Sequence, residues 1–165
     1  MLTCTAPVYR ARTLSEALAL RAEHHHATVL AGGTDLMVFL ELGSVKPDLV
    51  IDLWGCSELR GVSADGRTIG AMSTWTDVAR NEQLPAALRE CARTVGAPQI
   101  QNRGTVGGNI VNASPAGDSL PMWLAMDAEF ELASVRGTRR VPASQFWLAY
   151  RKTALGADEL LTRVH

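Results

Sequence analysis

Two glycine-rich segments constrain the fold of this 165-residue chain more than any other feature of its sequence. They are residues 31–36 (AGGTDL) and residues 104–118 (GTVGGNIVNASPAGD). Each places paired glycines after an apolar run and follows them with small hydroxyl, amide and carboxylate side chains. Backbone without a Cβ atom can approach a phosphate closely and offer it N–H groups. Two such turns, far apart in the chain, predict a ligand with a polyanionic centre that is held from two sides, which favours a dinucleotide cofactor.

The first segment is predicted as a turn between a strand and a helix. Residues 27–31 (ATVLA) are typical of a short buried strand that runs into the glycine pair. Thr34 or Asp35 then caps a helix that continues to Leu42 and is stopped by Gly43. The free N–H groups and the positive dipole end of that helix make an anion site. A Gly-Gly pair between a strand and a helix is also ordinary turn chemistry, so both interpretations stay open for this segment alone.

The second segment is predicted as a long loop, and its pattern is the more specific of the two. Its glycine pair, Gly107 and Gly108, again offers bare amides. Small polar side chains crowd the same loop at Thr105, Asn109, Asn112 and Ser114. Asp118 stands at the start of the next predicted helix, where its carboxylate either caps the helix or accepts hydrogen bonds from sugar hydroxyls. Alternatively, this is a tight loop whose asparagines and serine satisfy its own backbone. Neither segment has the G-x-G-x-x-G spacing of a Rossmann fold or a P-loop lysine, so a dinucleotide would bind on another scaffold.

Residues 1–55 are predicted to form an α/β unit. The sequence TLSE at 13–16 is a capping box that opens a helix running to the histidines at 24–26. A further strand is predicted at 48–53. Strands that alternate with helices in this way favour parallel pairing through crossover connections.

Residues 56–165 are predicted to form a second unit, of the α+β class. The Asp65-Gly66 pair is typical of a hairpin turn. Helical spacing of apolar residues predicts a helix over 85–95, and alternation predicts a strand over 128–135. Strands and helices of this unit therefore do not follow the strict alternation of the first one.

Charge, apolar patterning and cysteine usage exclude several classes of protein. Sixteen basic and seventeen acidic residues give a net charge of −1. The chain therefore lacks the excess of basic residues that is typical of proteins that bind nucleic acid. The apolar stretches are far shorter than the roughly 20 residues of a membrane helix, and the first residues carry no signal pattern, so the cytoplasm is the default location. Cys4, Cys56 and Cys91 are too widely spaced for a zinc or iron–sulfur site and are interpreted as reduced thiols. The histidines at 24–26 would point in different directions on a helix and are interpreted as a polar helix end, not a metal site.

At the two glycine segments the chain resembles the flavin subunit, or flavin domain, of the molybdenum hydroxylases. That family includes xanthine dehydrogenase, aerobic carbon monoxide dehydrogenase and bacterial dehydrogenases of N-heterocycles. The resemblance covers the whole chain and rests on AGGTDLM at 31–37, QNRGTVGGN at 101–109, ASPAGD at 113–118, GTRRVP at 137–142 and ELLT at 159–162. It implies an α+β fold of two subdomains, distinct from the Rossmann fold, with FAD held between them without a covalent bond.

The resemblance also implies which residues hold the cofactor. The first segment would wrap the pyrophosphate with Ala31, Gly32, Gly33, Thr34, Asp35 and Leu36. The second segment would contact FAD from the other side through Thr105, Gly107, Gly108 and Asn109. The ribityl or ribose hydroxyls would be reached by Asn112, Ser114 and Asp118. A ring of the cofactor would be packed by Leu160 and Leu161.

The resemblance further implies a place in a multi-subunit oxidoreductase. In the family, a molybdopterin-binding large subunit hydroxylates the substrate, and a small subunit with two [2Fe-2S] clusters relays the electrons. The FAD of this chain would take those electrons and pass them to NAD, oxygen or another acceptor, so no catalytic side chain and no metal ligand are expected in it. Two alternatives stay open: a non-catalytic assembly module of such a complex, and a stand-alone flavin oxidoreductase. Family subunits continue into a C-terminal flavoprotein domain that is absent here, so weaker FAD binding than in a full-length subunit is expected.

Overall fold

The computed structural model of the protein describes residues 5–165, so the prediction for Cys4 lies outside the described residues. The strands are β1 (Val8–Arg10), β2 (Thr28–Leu30), β3 (Val50–Asp52), β4 (Ile69–Gly70), β5 (Glu129–Ser134), β6 (Gly137–Pro142), β7 (Trp147–Ala149), β8 (Lys152–Thr153) and β9 (Leu160–Val164). The α-helices are α1 (Leu14–Glu23), α2 (Leu36–Glu41), α3 (Trp75–Arg80), α4 (Ala86–Thr94), α5 (Pro98–Gln101), α6 (Val106–Asn112), α7 (Leu120–Ala125) and α8 (Ala143–Phe146). Within residues 5–165, none of these helices is long and apolar enough to cross a membrane.

The first sheet confirms the parallel pairing predicted for the beginning of the chain. Its order is β1-β3-β2, and both outer strands run parallel to β3, which is buried along its whole length. Thr13 caps α1 by accepting the N–H of Glu16 at 3.1 Å. The Glu16 carboxylate accepts the N–H of Arg12 at 2.9 Å, one residue before the cap, so the reciprocal bond of a capping box is not formed. The cap still starts α1 at the predicted place, and the helix carries the chain from β1 across to β2.

The second sheet is antiparallel and has the order β4-β9-β5-β6. Alternating residues of β5 face the core, where Phe130 and Leu132 are completely buried. The Phe130 ring meets those of Phe146 and Trp147 edge to face, at centroid distances of 4.9 and 5.4 Å. This aromatic cluster holds α8 against the sheet, because edge-to-face pairs of rings stabilise the packing beyond the contribution of apolar burial.

The structure corrects the prediction that residues 104–118 form one long loop. Residues 106–112 are the helix α6, with Thr105 as its N-cap and Ala113, at φ 48°, as its left-handed end. Glycine is a poor helix former, but Gly107 stands where a Cβ atom would lie 2.7 Å from the Cβ of Ala71. Close packing of α6 against the segment after β4 therefore requires glycine and outweighs its low helix propensity.

The structure also corrects the predicted cap of α2. The helix begins at Leu36 after Asp35, but neither Thr34 nor Asp35 makes a side-chain cap bond within the described residues. Asp35 is itself in the right-handed helical region, at φ −88° and ψ −41°, and not in the extended conformation from which a side chain reaches back to the first turn. The predicted stop is confirmed, because α2 ends at Glu41 and Gly43 has a φ of 66°.

The boundary predicted between residues 55 and 56 stays a prediction. The core around the parallel sheet contains Ile51 and Leu53, and it also contains Leu59, Met72 and Leu160 from farther along the chain. The two sheets are therefore joined by shared apolar packing.

The histidines at 24–26 follow directly after the end of α1, as a polar helix terminus does. His24 caps the helix, and its ring stacks on that of Tyr9 at a centroid distance of 5.7 Å. Across residues 5–165 there is no group of three or more His, Cys, Asp or Glu side chains arranged to hold a metal ion.

Candidate cofactor-binding site

The two glycine segments meet in one cleft of about 440 Å³, here called the glycine cleft. Its wall includes every predicted cofactor-binding residue except Ser114 and Asp118, namely Ala31, Gly32, Gly33, Thr34, Asp35, Leu36, Thr105, Gly107, Gly108, Asn109, Asn112, Leu160 and Leu161. The fold thus brings the turn after β2, the helix α6 and the strand β9 together from three distant parts of the chain.

The first turn presents a row of free backbone donors to this cleft. Within residues 5–165, the N–H groups of Gly32, Gly33, Thr34 and Asp35 donate no hydrogen bond. Gly33 has a φ of 80°, a left-handed conformation that lets successive N–H groups turn toward one side. The uncapped start of α2 adds to this arrangement, because no side chain takes up its first donors. The turn therefore presents unpaired backbone N–H groups at the wall of the cleft, the kind of donor to which anions bind.

The second segment differs, because its amides are already used inside the protein. The N–H of Gly107 donates to the carbonyl of Ala71 at 2.7 Å, and the N–H of Gly108 donates to Oγ1 of Thr105 at 3.2 Å. The N–H of Val106 donates to the carbonyl of Ser73 at 3.0 Å. The expectation that Gly107 and Gly108 offer bare amides is therefore wrong. These glycines are needed for close approach.

Close approach joins the two segments directly. A Cβ atom at Gly32 would fall far inside van der Waals contact with the carbonyl oxygen of Arg103, next to Gly104. A Cβ atom at Gly108 would lie 2.8 Å from Oγ1 of Thr105 and 3.7 Å from the Cβ of Ala31. At Gly32 the two segments therefore meet backbone against backbone, which only a residue without a side chain allows, whereas Gly108 lies against the side chains of Thr105 and Ala31.

The two asparagines of the second segment are held by neighbours. Oδ1 of Asn109 accepts the hydroxyl of Ser119 at 2.6 Å, and Oγ of Ser119 in turn accepts the indole N–H of the buried Trp123 at 3.1 Å. Oδ1 of Asn112 accepts Nη1 of Arg151 at 2.7 Å. Both bonds use the amide oxygen, so the NH₂ group of each asparagine is the part left for a ligand.

Ser114 and Asp118 lie outside the wall of the glycine cleft. Oγ of Ser114 accepts the N–H of Ala116 at 3.3 Å, and the Asp118 side chain is exposed. The Asp118 carbonyl accepts the thiol of Cys91 at 3.7 Å. A role of Ser114 and Asp118 in cofactor binding stays a prediction.

Two charged residues of the cleft were missed by sequence reasoning. Nη1 of Arg21, on α1, donates to the carbonyl of Ala27 at 2.7 Å, while its Nε is buried with no partner in residues 5–165. Burial lowers the pKa of Arg21, partly offset by Asp158. No sequence signal marks this arginine, because it looks like one more polar position on an amphipathic helix.

Glu159 is the second missed residue, and it is buried in the wall beside Leu160. Its carboxylate accepts Nε and Nη2 of Arg139, both at 2.7 Å, and the N–H of Gly156 at 2.7 Å. The hydrogen bonds from Arg139 hold the pKa of Glu159 below its usual value against the opposing effect of burial. The ionised pair fixes the entry into β9. Glu159 belongs to the ELLT segment at 159–162 on which the resemblance rests, but nothing in that segment indicated that its carboxylate lies in the cleft.

Comparison with known proteins agrees with this architecture. A family model described as the FAD binding domain in molybdopterin dehydrogenase matches residues 3–165. The nicotinate dehydrogenase FAD-subunit of Eubacterium barkeri is 38% identical over 163 residues, which are 93% of this chain and 55% of that protein. The carbon monoxide dehydrogenase medium chain of Hydrogenophaga pseudoflava is 34% identical over 159 residues, which are 93% of this chain and 55% of that protein. The chain thus spans about half the length of the curated relatives that it matches.

Solved structures show the same fold. Carbon monoxide dehydrogenase from Hydrogenophaga pseudoflava superposes with a TM-score of 0.93 at 32% identity, over 99% of this chain and 59% of that chain. Quinoline 2-oxidoreductase from Pseudomonas putida 86 superposes with a TM-score of 0.93 at 27% identity, again over 99% of this chain and 59% of that chain. The prediction of an α+β flavin-binding fold that is not a Rossmann fold is confirmed. The chain belongs to the family of FAD-binding domains of molybdopterin dehydrogenases.

Proposed function

We propose that this chain binds FAD in the glycine cleft and serves as the flavin-carrying, electron-transferring part of a molybdenum-containing hydroxylase. The observation that carries the proposal is the row of four unused N–H groups from Gly32 to Asp35 at the wall of a cleft. A pyrophosphate brings two anionic groups to such donors, and hydrogen bonds to charged acceptors are stronger than those to neutral ones.

The other residues of the cleft fit the remaining parts of FAD. Apolar side chains suit the flat faces of its rings, and the cleft supplies them at Val29, Leu53, Trp75, Ile100, Leu160 and Leu161. The free NH₂ groups of Asn109 and Asn112 suit the hydroxyls and carbonyls of the cofactor. Bound FAD would supply reversible one- and two-electron redox chemistry, while the protein orients it and keeps water from its rings.

The backbone of Gly33 offers a direct test of the anion site. Gly33→Ala would strain a left-handed residue, at a cost of roughly 1–2 kcal/mol, and would place a Cβ atom 3.2 Å from Cδ1 of Leu30. We expect the row of donors to shift and the dissociation constant for FAD, measured by quenching of flavin fluorescence, to rise at least about tenfold, as loss of one charge-assisted hydrogen bond would predict.

Gly43→Ala is the matched control for that substitution. Gly43 has a φ of 66°, no atom within 4 Å of an added Cβ, and a position outside the cleft wall. It should lose comparable stability in urea while keeping the FAD affinity of the unaltered chain. Equal FAD affinities of the two variants would contradict the assignment of the anion site to the first turn.

The names of the relatives support the proposed role in electron transfer. Two similar proteins are medium chains, of carbon monoxide dehydrogenase and of glyceraldehyde dehydrogenase, and a third is a nicotinate dehydrogenase FAD-subunit. By analogy, we infer that a molybdopterin-binding large subunit and an iron–sulfur small subunit are partners of this chain. We infer further that its flavin takes electrons from [2Fe-2S] clusters and passes them to an acceptor such as NAD or oxygen. The cytoplasmic location stays a prediction.

Isolation of the tagged chain from its own host tests the proposed partners. We expect molybdenum and iron to co-purify with it in fixed ratio to FAD, because all three would belong to one complex. The host carrying the tag alone is the control for metal bound by the resin. An FAD-loaded chain that elutes without molybdenum and iron would contradict the proposal and favour a stand-alone flavin oxidoreductase.

A further inference from the structure

A second cavity lies on the surface formed by α3, α4 and α5. It also measures about 440 Å³ and is called the arginine pocket here; its polar lining includes Arg80, Arg89, Arg93, Thr76, Gln101 and Asn102. Neighbouring residues of α3 and α5 face the two cavities: Trp75 and Ile100 line the glycine cleft, whereas Thr76 and Gln101 line this one. The two cavities are therefore separate, although different residues of the same two helices line them.

The arginine pocket carries a surplus of positive charge. Three guanidinium groups line it against a single carboxylate, that of Glu82. Arg93 forms an ion pair with Glu90 at 2.8 Å. Arg80 and Arg89 have no carboxylate within ion-pair distance among residues 5–165. Although the net charge of the protein is −1, two guanidinium groups without an ion-pair partner therefore line the same pocket.

One donor in this pocket is left without an acceptor. Nε of Arg89 is buried and makes no hydrogen bond within the described residues. Buried polar groups in folded proteins are nearly always hydrogen-bonded, so Arg89 keeps an unused donor that an acceptor in the pocket would satisfy once the side chain turns toward it. The partner must be an acceptor, because a guanidinium only donates.

The walls of the pocket are held in place by the protein itself. Nη2 of Arg93 donates to the carbonyl of Ala79 at 3.1 Å, and the carbonyl of Arg93 accepts Nε2 of Gln101 at 2.9 Å. The hydroxyl of Thr76 donates to Oδ1 of Asn102 at 2.6 Å, which leaves the NH₂ group of Asn102 as a further donor. Donors fixed in this way lose little conformational entropy when a ligand binds.

We propose that the arginine pocket binds a phosphate group, either as inorganic phosphate or as the phosphate of a small ester. Planar guanidinium groups match the oxygens of phosphate in paired hydrogen bonds. The volume is in the range of small-molecule sites, and the lining has donors on several sides, as a tetrahedral oxyanion requires. This site is distinct from the FAD site, because it shares no lining residue with the glycine cleft.

A titration that observes Arg89 itself tests the proposal. The ¹⁵N-labelled chain, saturated with FAD to fill the first turn, is titrated at constant ionic strength with inorganic phosphate and, separately, with phenyl phosphate. We expect a saturable shift of the Arg89 Nε–H signal, and tighter binding of one titrant identifies the free ion or the ester as the source. Arg89→Gln should weaken phosphate binding at least about tenfold by calorimetry, since a charge-assisted pair is lost.

Two further variants keep the experiment decisive. Arg80→Gln removes an exposed guanidinium that makes no ion pair and no side-chain hydrogen bond within residues 5–165, and it should weaken phosphate binding several-fold. Arg67→Gln, exposed and outside the pocket, should leave phosphate binding unchanged. Phosphate binding that is equal in all three variants, or a shift that never saturates, would overturn the proposal. A shift produced by tetraglutamate and not by phosphate would also overturn it, in favour of an acidic protein partner.

Discussion

Replacing Gly32 with alanine is expected to weaken FAD binding at least about 100-fold, which corresponds to about 2.7 kcal/mol. The added methyl group would collide with the carbonyl oxygen of Arg103, a backbone atom that cannot rotate away. The first turn must then separate from the second segment, which moves its unpaired N–H groups away from their places in the cleft wall. Loss of two charge-assisted hydrogen bonds at roughly 1.5 kcal/mol each accounts for the expected loss of affinity.

Quenching of flavin fluorescence measures the affinity for FAD. Gly66→Ala is the control that distinguishes a specific loss of FAD binding from a general loss of stability. A Cβ atom at Gly66 would collide in the same way with a backbone carbonyl, that of Gln83, but outside the glycine cleft. Both variants should unfold at lower urea concentration than the unaltered chain, and only Gly32→Ala should lose FAD. If Gly66→Ala releases FAD to the same extent at equal stability, the turn has no special role in binding.

Phe130→Ala is expected to lower the free energy of unfolding by roughly 3–5 kcal/mol, the range for truncation of a buried phenylalanine. Phe130 is completely buried, and its ring lies 4.9 Å from that of Phe146 and 5.4 Å from that of Trp147, so the cavity would remove aromatic contacts on two sides. Trp147 is in turn tied to α6, because its indole N–H donates to the carbonyl of Ile110 at 3.0 Å. Loss of this cluster should therefore loosen one wall of the cofactor site as well as the sheet.

Urea unfolding followed by far-ultraviolet circular dichroism measures this change in stability. Tyr150→Ala is the control, because Tyr150 is an aromatic residue of the same region that is 76% exposed. Its removal should change the free energy of unfolding by no more than about 0.5 kcal/mol. A loss below about 1 kcal/mol for Phe130→Ala would show that the aromatic cluster does not carry the stability of the antiparallel sheet.

The elements that the sequence predicted well are those with a local cause. Thr13 starts α1 because its hydroxyl accepts the N–H of Glu16, and the alternation of strand and helix before residue 55 led to the parallel pairing. The pair Gly32-Gly33 was recognised as a turn because glycines between a strand and a helix are typical turn residues, and Gly33 has the left-handed φ of 80° that favours glycine.

What the sequence could not predict depends on contacts between distant segments. The pair Gly107-Gly108 suggests a loop by itself, and only the position of Ala71 explains why it lies in a helix. The same contact consumes the N–H of Gly107, which the sequence alone presents as free. Arg21 and Glu159 enter the cleft because α1 and β9 are folded next to it, and no spacing within either segment indicates that placement.

The position of β9 has a consequence for synthesis of the protein on the ribosome. This strand lies between β4 and β5 in the sheet, although it follows both of them in the chain. Until residues 160–164 have emerged, the nascent chain holds β4 and β5 with an unpaired edge each, and such edges are templates for pairing with other chains. Emergence of β5 from the ribosome long before β9 should therefore expose the nascent protein to aggregation, because β9 pairs with the open edges of both β4 and β5.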